Sequence, residues 1–289
     1  MGKIPAFIKS ARFAEVSIML GFPVIGLFFA FDSPDQLFSP DVPIFLAAIF
    51  ALFVAIYAFN GLAGIGEDKA NNRLSALKGK NVSFLVTLAV SLLTSLFLFW
   101  LIRSELAAFA AVSFLMWSLY SFPRIGFKYR PVLGTLIHFI TQIIHFLMGY
   151  TIISPVNRSS IAVSVYFALL FSAGHINHEL IDSEADEKTD IKTGAVYFGV
   201  EIWEKVSFFM FLAAVLYISA LSIMSEGLFP QIIPFSAAGF IHLAYKIKHR
   251  KTEAKQPKFL AERHFYRIVY FAAGILFFLL KILKTQTFI

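Results

Sequence analysis

The sequence predicts an all-α protein, a multi-pass bundle of nine transmembrane helices whose N-terminus lies in the cytoplasm. Three observations lead to this prediction: the composition, the spacing of the apolar runs and the distribution of positive charges. Of the 289 residues, 58% are hydrophobic and 15% are charged, whereas soluble domains are about 45–50% apolar and about 25% charged. Too few polar residues remain to cover a soluble surface. The composition therefore excludes a soluble enzyme, a disordered chain and a secreted disulfide scaffold.

The apolar runs have the length that a membrane-spanning helix needs, about 20 residues. The third and fourth runs are separated only by Arg103, Ser104 and Glu105, which predicts a tight hairpin. No polar segment marks a domain boundary, so residues 1–289 are predicted to form a single membrane domain. The predicted spans cover residues 13–32, 42–65, 83–102, 105–122, 131–153, 159–181, 204–224, 228–246 and 264–284.

The positive charges predict the orientation. Lys and Arg residues are concentrated in alternate loops, and such loops face the cytoplasm. With nine spans, this pattern places the C-terminus outside and the loops 66–82, 123–130 and 182–203 together on the cytoplasmic side. The basic residues, which give a net charge of +7, form no continuous stripe, so no nucleic-acid partner is expected. The absence of cysteine excludes thiolate zinc sites and cysteine nucleophiles.

The most informative polar cluster follows the sixth predicted span. Glu179, Asp182 and Asp186 are separated by three and four residues, so on a helix their carboxylates share one face. Carboxylates this close repel one another unless a cation lies among them, and oxygen ligands at a membrane–water boundary suit Mg²⁺. The alternative is a solvated acidic turn that ends a membrane helix.

Two further clusters lie in the predicted cytoplasmic loops. Arg124, Lys128 and Arg130 follow the fourth predicted span and are suited to phosphate oxygens, the alternative being ordinary positive charge on an inner loop. The end of the second predicted span offers Asp68 as a further anionic ligand and Asn60 as a neutral one. The glycines around them allow either local unwinding or close helix packing.

Deeper polar residues form two groups. His138, Gln142 and His145 occupy one stripe of the fifth predicted span, and His175 and His178 precede the acidic cluster in the sixth. All five are candidates for an acceptor pocket inside the bundle, and the alternative is hydrogen bonding between helices. A histidine-rich di-iron oxygenase is disfavoured because it needs more metal-binding histidines than these four.

Together these clusters resemble the motifs of the UbiA superfamily of intramembrane prenyltransferases, a family of nine-helix bundles. The family's second aspartate-rich motif, Asp-x-x-Asp-x-x-x-Asp, is similar to Glu179-x-x-Asp182-x-x-x-Asp186, and the Ile-Lys-Thr that follows it is similar to Ile191-Lys192-Thr193. The family segment Tyr-Ser/Thr…Lys-Arg-x-Pro-Leu-Gly resembles the stretch from Tyr120-Ser121 to Leu133-Gly134.

The first aspartate-rich motif departs from the family pattern, Asn-Asp-x-x-Asp-x-x-x-Asp. This chain has Asn60, Gly61, Gly64 and Asp68 at the corresponding positions, so two of the three aspartates are missing. A tail that includes Arg73 still resembles the family's. The departure leaves three readings open. The site binds one Mg²⁺ tightly and a second weakly, Glu67 replaces a lost ligand, or the protein has left diphosphate ionisation for other chemistry or has lost catalysis.

The resemblance implies Mg²⁺-dependent transfer of an isoprenyl group from an isoprenyl diphosphate to an unknown acceptor within the lipid bilayer. It implies a catalytic centre of Asn60, Asp68, Asp182 and Asp186, and metal ligation by Asp68, Glu179, Asp182 and Asp186. Diphosphate binding is implied for Arg73, Arg124, Lys128, Arg130 and Lys192. Two alternatives stay open: a UbiA-like terpene cyclase or other isoprenoid-modifying enzyme, and a lipid or isoprenoid binding or transport protein without catalysis.

Overall fold

A computed structural model of the protein describes residues 13–64, 81–123, 126–188, 191–224, 229–250, 252 and 255–286. These residues are mostly helical and include no β-strand, which confirms the predicted all-α class. Two short 3₁₀ turns, Pro34–Phe38 and Phe127–Tyr129, precede the helices α3 and α6. The helices are α1 (Phe13–Met19), α2 (Gly21–Ala30), α3 (Asp41–Gly64), α4 (Asn81–Ile102), α5 (Ser104–Ser121), α6 (Pro131–Tyr150), α7 (Arg158–Lys188), α8 (Gly194–Phe198), α9 (Val200–Met224), α10 (Phe229–Lys248) and α11 (Gln256–Gln286).

Six of the described helices are long and apolar enough to cross a membrane: α3, α6, α7 and α9 in full, α4 from Val82, and α11 up to Lys284. The other three predicted spans correspond to weaker elements. The first contains a shorter apolar helix, Glu15–Ala30, which α1 and α2 form with helical backbone at Leu20 between them. The fourth, α5, has 18 residues with Glu105 in its first turn, and the eighth, α10, contains Pro234 and ends on basic residues. The count of nine spans and the cytoplasmic N-terminus stay predictions.

The outer helices present large apolar side chains to their surroundings. Along α4, Leu93, Phe97 and Trp100 are 68%, 57% and 62% exposed, and Leu216 on α9 and Phe271 on α11 are exposed to a similar extent. Soluble monomers rarely expose apolar surface this extensive. These faces therefore fit contact with lipid.

Glycines let α2 and α6 approach until their backbones touch. A Cβ atom on Gly26 would overlap the backbone carbonyl of Phe146, and one on Gly149 would overlap the backbone carbonyl of Pro23. In lipid, where the hydrophobic effect between helices is weak, close packing of this kind holds helices together. Because α6 also packs on α7, the contact fixes the position of the helix that carries the predicted acceptor stripe.

A buried charged cluster joins α10 to α11. Lys246 Nζ donates a hydrogen bond to Glu262 Oε1 at 2.5 Å, and His242 Nε2 lies 3.3 Å from the same oxygen. The three side chains are only 0–7% exposed, and the Lys246 ammonium lies 5.2 Å from the ring centre of Phe211 on α9. Charges buried in a helical bundle persist when they are paired. The cluster therefore fixes the last two helices against α9.

The contact between α2 and α6 predicts opposite effects for two Gly→Ala substitutions. Gly149→Ala should lower the thermal unfolding temperature in detergent, because the new methyl group meets the Pro23 carbonyl, and such overpacking costs about 1–3 kcal/mol. Gly274→Ala on α11 is the matched control, since no atom lies within 4 Å of its Cβ position. Alanine there should leave stability unchanged or raise it through helix propensity. Equal effects of the two substitutions would contradict the packing.

Candidate active site

Helix α7 carries the acidic motif on a continuous helical surface. It ends at Lys188, about two turns beyond the predicted end of the sixth span at residue 181. His175, Glu179, Asp182 and Asp186 follow at separations of four, three and four residues, so they share one face, which extends about 16 Å along the axis. The chemistry therefore changes along a single helix, from carboxylates at its end to imidazole deeper in the bundle.

The Glu179 carboxylate is buried, 7% exposed, and has three partners. Its Oε2 accepts hydrogen bonds from the backbone N–H of Gly194 at 3.0 Å and from the Nε1–H of Trp203 at 2.7 Å. Its Oε1 lies 3.2 Å from Nε2 of His175. Glu179 thus connects α7 to α8 and α9, which holds the loop after α7 in place.

Asp182 and Asp186 lie nearer the surface than Glu179. Asp182 is 48% exposed, and its Oδ2 lies 3.0 Å from Nδ1 of His178. Asp186 is partly buried and interacts electrostatically with both Asp182 and Glu179. Its backbone carbonyl accepts a hydrogen bond from the N–H of Ile191 at 2.9 Å. This bond holds Ile191 close to the end of α7.

The donor set at the end of α7 fits a Mg²⁺ ion. Asp182 and Asp186 share a face that reaches solvent, and Mg²⁺ is commonly bound by one or two carboxylates while it keeps water and phosphate oxygens as its other ligands. Within the part of the chain that the structure describes, no three or more His, Asp or Glu side chains surround a common metal position. Asp68 lies outside the described residues, so its role as a ligand stays a prediction.

A basic groove of about 420 Å³ lies between the start of α6 and the loop after α7. Arg130, the N-cap residue of α6, and Lys192 both line it, and both are exposed. Lys128 comes directly before the lining residue Tyr129 in the sequence, and its ammonium lies 4.8 Å from the centre of the Tyr129 ring. Arg130 and Lys192, two predicted phosphate-binding residues from different loops, thus line the same groove. Arg73 and Arg124 lie outside the described residues. The remaining lining side chains are Tyr129, Pro131, Val132, Leu133, Tyr197 and Phe198.

Two aromatic residues of the site were not among the predicted site residues. Tyr120, at the end of α5, interacts electrostatically with all three carboxylates of the acidic face, and its ring meets that of His138 edge-on at 5.1 Å. The family-like Tyr-Ser pair was a signal for Tyr120. Trp203 lies 24 residues from its partner Glu179, and no sequence pattern connects the two.

The predicted acceptor stripe on α6 is buried. Gln142 and His145 are 0% exposed and His138 is 8% exposed. The His138 ring stacks on that of His175, with ring centres 3.6 Å apart, and His145 Nε2 lies 2.7 Å from Oγ of Ser113. Among the described residues, no partner is found for either ring nitrogen of His138, either amide atom of Gln142 or Nδ1 of His145. Among the described residues, hydrogen bonding between helices therefore accounts only for Nε2 of His145, which is paired with Ser113.

Asn60 is partly buried within α3, which continues to Gly64. A Cβ atom on Gly61 would lie 3.0 Å from the ring of Phe84 on α4. Up to Gly64, the glycines of the first motif thus permit close packing of an intact helix, the second of the two possibilities predicted from the sequence. The remainder of the motif lies outside the described residues.

These features define an integral membrane helical bundle with carboxylates and cations gathered at one end of its long helices. The chain belongs to the UbiA prenyltransferase family, whose family model matches residues 19–279. This match confirms the resemblance seen in the motifs. Among curated proteins, a search found no match to this sequence.

Solved structures share the fold at low sequence identity. A UbiA homologue from Archaeoglobus fulgidus is 17% identical, with 97% of this chain and 99% of that chain covered and a TM-score of 0.74. The same homologue bound to DMAPP and Mg²⁺ is similar over 92% of this chain and 98% of that chain, again at 17% identity, with a TM-score of 0.73. A structure of digeranylgeranylglyceryl phosphate synthase is 16% identical over 98% of this chain and 99% of that chain, with a TM-score of 0.71.

The partners of Glu179 predict that its removal destabilises the fold. Glu179→Leu should lower the thermal unfolding temperature in detergent, because each N–H donor left unpaired by the change costs about 1–3 kcal/mol. Glu184→Leu is the control, since Glu184 is exposed on the same helix and its loss should have little effect. A Glu179→Leu protein of normal stability that has lost affinity for Mg²⁺ would instead support the sequence-based assignment of Glu179 as a metal ligand.

Proposed function

We propose that this protein is a Mg²⁺-dependent intramembrane prenyltransferase, which transfers an isoprenyl group from an isoprenyl diphosphate to an acceptor. The main support for this proposal is that acidic and basic side chains lie near one another at the end of α7. Ile191, whose N–H is bonded to the Asp186 carbonyl, is followed directly by Lys192, and Lys192 shares a groove with Arg130. Carboxylates for a metal and cations for phosphate are thus neighbours.

The solved relatives support this proposal. The homologue from Archaeoglobus fulgidus has been seen with DMAPP and Mg²⁺ and with GPP and Mg²⁺, and the family model covers most of this chain. We therefore propose that Asp182 and Asp186, with Asp68, hold Mg²⁺, and that Arg130, Lys192 and Lys128 contact the diphosphate. Arg73, Arg124 and Asn60 are proposed to complete the site from the neighbouring loops, and the site is proposed to face the cytoplasm.

In the proposed reaction, the allylic C–O bond breaks and its electron pair leaves with the diphosphate. Mg²⁺, when bound, supplies positive charge that stabilises this leaving group. Arg130 and Lys192 add fixed positive charge at the same end of the bundle. The aromatic rings around His138, which include Tyr120 and Phe171, offer negative ring faces to the carbocation. The buried surroundings exclude water, so that the acceptor captures the cation and then loses a proton.

The incomplete first motif favours a second candidate, an isoprenoid-binding protein without turnover. At position 61, a Cβ atom would lie 3.0 Å from the Phe84 ring, so this ring would have to shift slightly to admit an aspartate. Release of diphosphate from a labelled isoprenyl diphosphate separates the possibilities. Release that needs an acceptor supports the transferase, release without an acceptor supports a terpene cyclase, and Mg²⁺-dependent binding without release supports the second candidate.

The metal assignment predicts the effect of neutralising the carboxylates. Asp182→Asn and Asp186→Asn should each lower Mg²⁺-dependent release of diphosphate by about a hundredfold, typical for removal of one group that stabilises developing charge. Glu184→Gln, on the same helix, should retain activity. Thermal unfolding of the Asp182 variant should change little, since the side chain is about half exposed. Full activity in both aspartate variants would refute their assignment as ligands.

The groove assignment predicts weaker diphosphate binding without its cations. Arg130→Gln and Lys192→Gln should each raise the Kd for DMAPP about tenfold or more, because a hydrogen bond to a charged group contributes about 1.5–3 kcal/mol. The matched control is Arg158→Gln, which removes an exposed cation from the opposite end of α7. Equal losses in all three variants would indicate a general effect of net charge and contradict a specific site.

A further inference from the structure

Several of the buried hydrogen-bonding groups without a partner lie on or beside the α6 stripe, while others, such as the Asn177 amide, lie elsewhere among the described residues. Besides the atoms of His138, Gln142 and His145 described above, Nε1 of Trp117 has no partner among the described residues. All four side chains are more than nine-tenths buried. Native proteins rarely leave such groups unpaired, and the penalty is large where lipid surrounds the bundle. Six such atoms on side chains of α5 and α6, with Trp117 in contact with His138, therefore point to a bound polar ligand.

Among the described residues, the side chains that contact the stripe include no Lys or Arg. His138 contacts the rings of Trp117 on α5 and Phe171 on α7, and His145 contacts Ser113 and the ring of Phe53. Of the described residues, those that interact electrostatically with His138 are all histidines, with no Lys or Arg among them. An anionic head group would lack a cationic partner here, and burial of an unpaired charge is strongly unfavourable.

The stripe offers both donors and acceptors. A neutral imidazole presents one donor and one acceptor, and a carboxamide presents two donors and an acceptor oxygen. A hydroxyl group can donate to one of these and accept from another, whereas an ether only accepts. The stripe is therefore complementary to an uncharged hydroxyl.

The stripe begins where the acidic face ends. His138 stacks on His175, which lies one turn deeper in the bundle than Glu179, and Gln142 lies one turn beyond His138 on α6. A diphosphate held near Asp186 and Asp182 would direct its isoprenyl chain toward this level. A ligand on the stripe would then be placed to meet the allylic carbon.

From these contacts we infer that the α6 stripe binds the head group of the acceptor, and that this head group is an uncharged hydroxyl. The identification of this ligand as the prenyl acceptor rests on the proposed prenyl transfer. The binding of an uncharged hydroxyl compound rests only on the stripe itself, so it can be measured without isoprenyl diphosphate or Mg²⁺.

The test uses three probes with the same butyl tail and the full-length protein in lipid nanodiscs. 4-Butylphenol carries a hydroxyl, 4-butylanisole carries an ether that cannot donate, and 4-butylbenzoate carries an anionic head. Equilibrium dialysis should show 4-butylphenol bound about tenfold more tightly than either of the others, because 4-butylanisole lacks one donated hydrogen bond and 4-butylbenzoate brings a charge into the buried site. Similar affinities for the three probes would overturn the inference.

Substitutions in the stripe test whether 4-butylphenol binds there. Gln142→Leu and His138→Leu should each weaken 4-butylphenol binding about tenfold, whereas His138→Gln, which keeps a donor and an acceptor, should restore most of it. Ser95→Ala on α4 is the control, because it also removes a buried hydroxyl without a partner among the described residues but lies on a different helix. Unchanged affinity in both leucine variants would overturn the inference.

Two measurements distinguish a loss of the binding site from a loss of stability, and a failure of this inference from a failure of the proposed prenyl transfer. Thermal unfolding of Gln142→Leu should be unchanged or shifted upward, since the amide it removes has no partner to lose; lost binding at normal stability is then a loss of the site. If no isoprenyl diphosphate is ever turned over but 4-butylphenol binds as described, the prenyl-transfer proposal fails while the hydroxyl-binding stripe stands.

Discussion

The lack of hydrogen-bond partners in the bilayer interior is the constraint on which the rest of the structure depends. In that environment backbone amides are paired within helices, and buried charges are stable when they are paired. Glu262 is paired with Lys246 and His242, and Lys281 Nζ donates to the backbone carbonyl of Phe29 at 3.1 Å. The unpaired imidazole and amide groups of α6 depart from this pattern, as do other buried groups such as the Asn177 amide, and they adjoin the acidic face of α7.

Helix α7 organises the proposed site because it continues past the apolar core as an unbroken helix. Its last two turns present Asp182 and Asp186 toward solvent, while Glu179, one turn deeper, holds the returning chain through Gly194 and Trp203. The position of Lys192 is therefore a consequence of a buried carboxylate 13 positions earlier in the sequence. The proposed metal ligands Asp182 and Asp186 and the proposed phosphate ligand Lys192 are thus positioned by one helix and the loop that follows it.

The sequence predicted what local spacing determines. The shared face of Glu179, Asp182 and Asp186 follows from helical periodicity, and so does the buried stripe of His138, Gln142 and His145. Tertiary contacts could not be predicted from the sequence. No local pattern indicates the contact of Trp203 with Glu179 or that of Phe84 with Gly61.

The contacts of Glu179 bear on the missing aspartates of the first motif. The family pattern has three carboxylates in each motif, whereas here the first motif keeps Asp68 alone, and the Glu179 carboxylate is occupied by three partners. The proposed site is then left with three carboxylates, which neutralise less cationic charge than six. One Mg²⁺ ion, with Arg130 and Lys192 supplying further positive charge to the diphosphate, suits this reduced set better than two ions. Since fixed side chains would then replace part of the metal charge, the geometry of the loop that Glu179 holds would matter more here than in a site with both motifs complete.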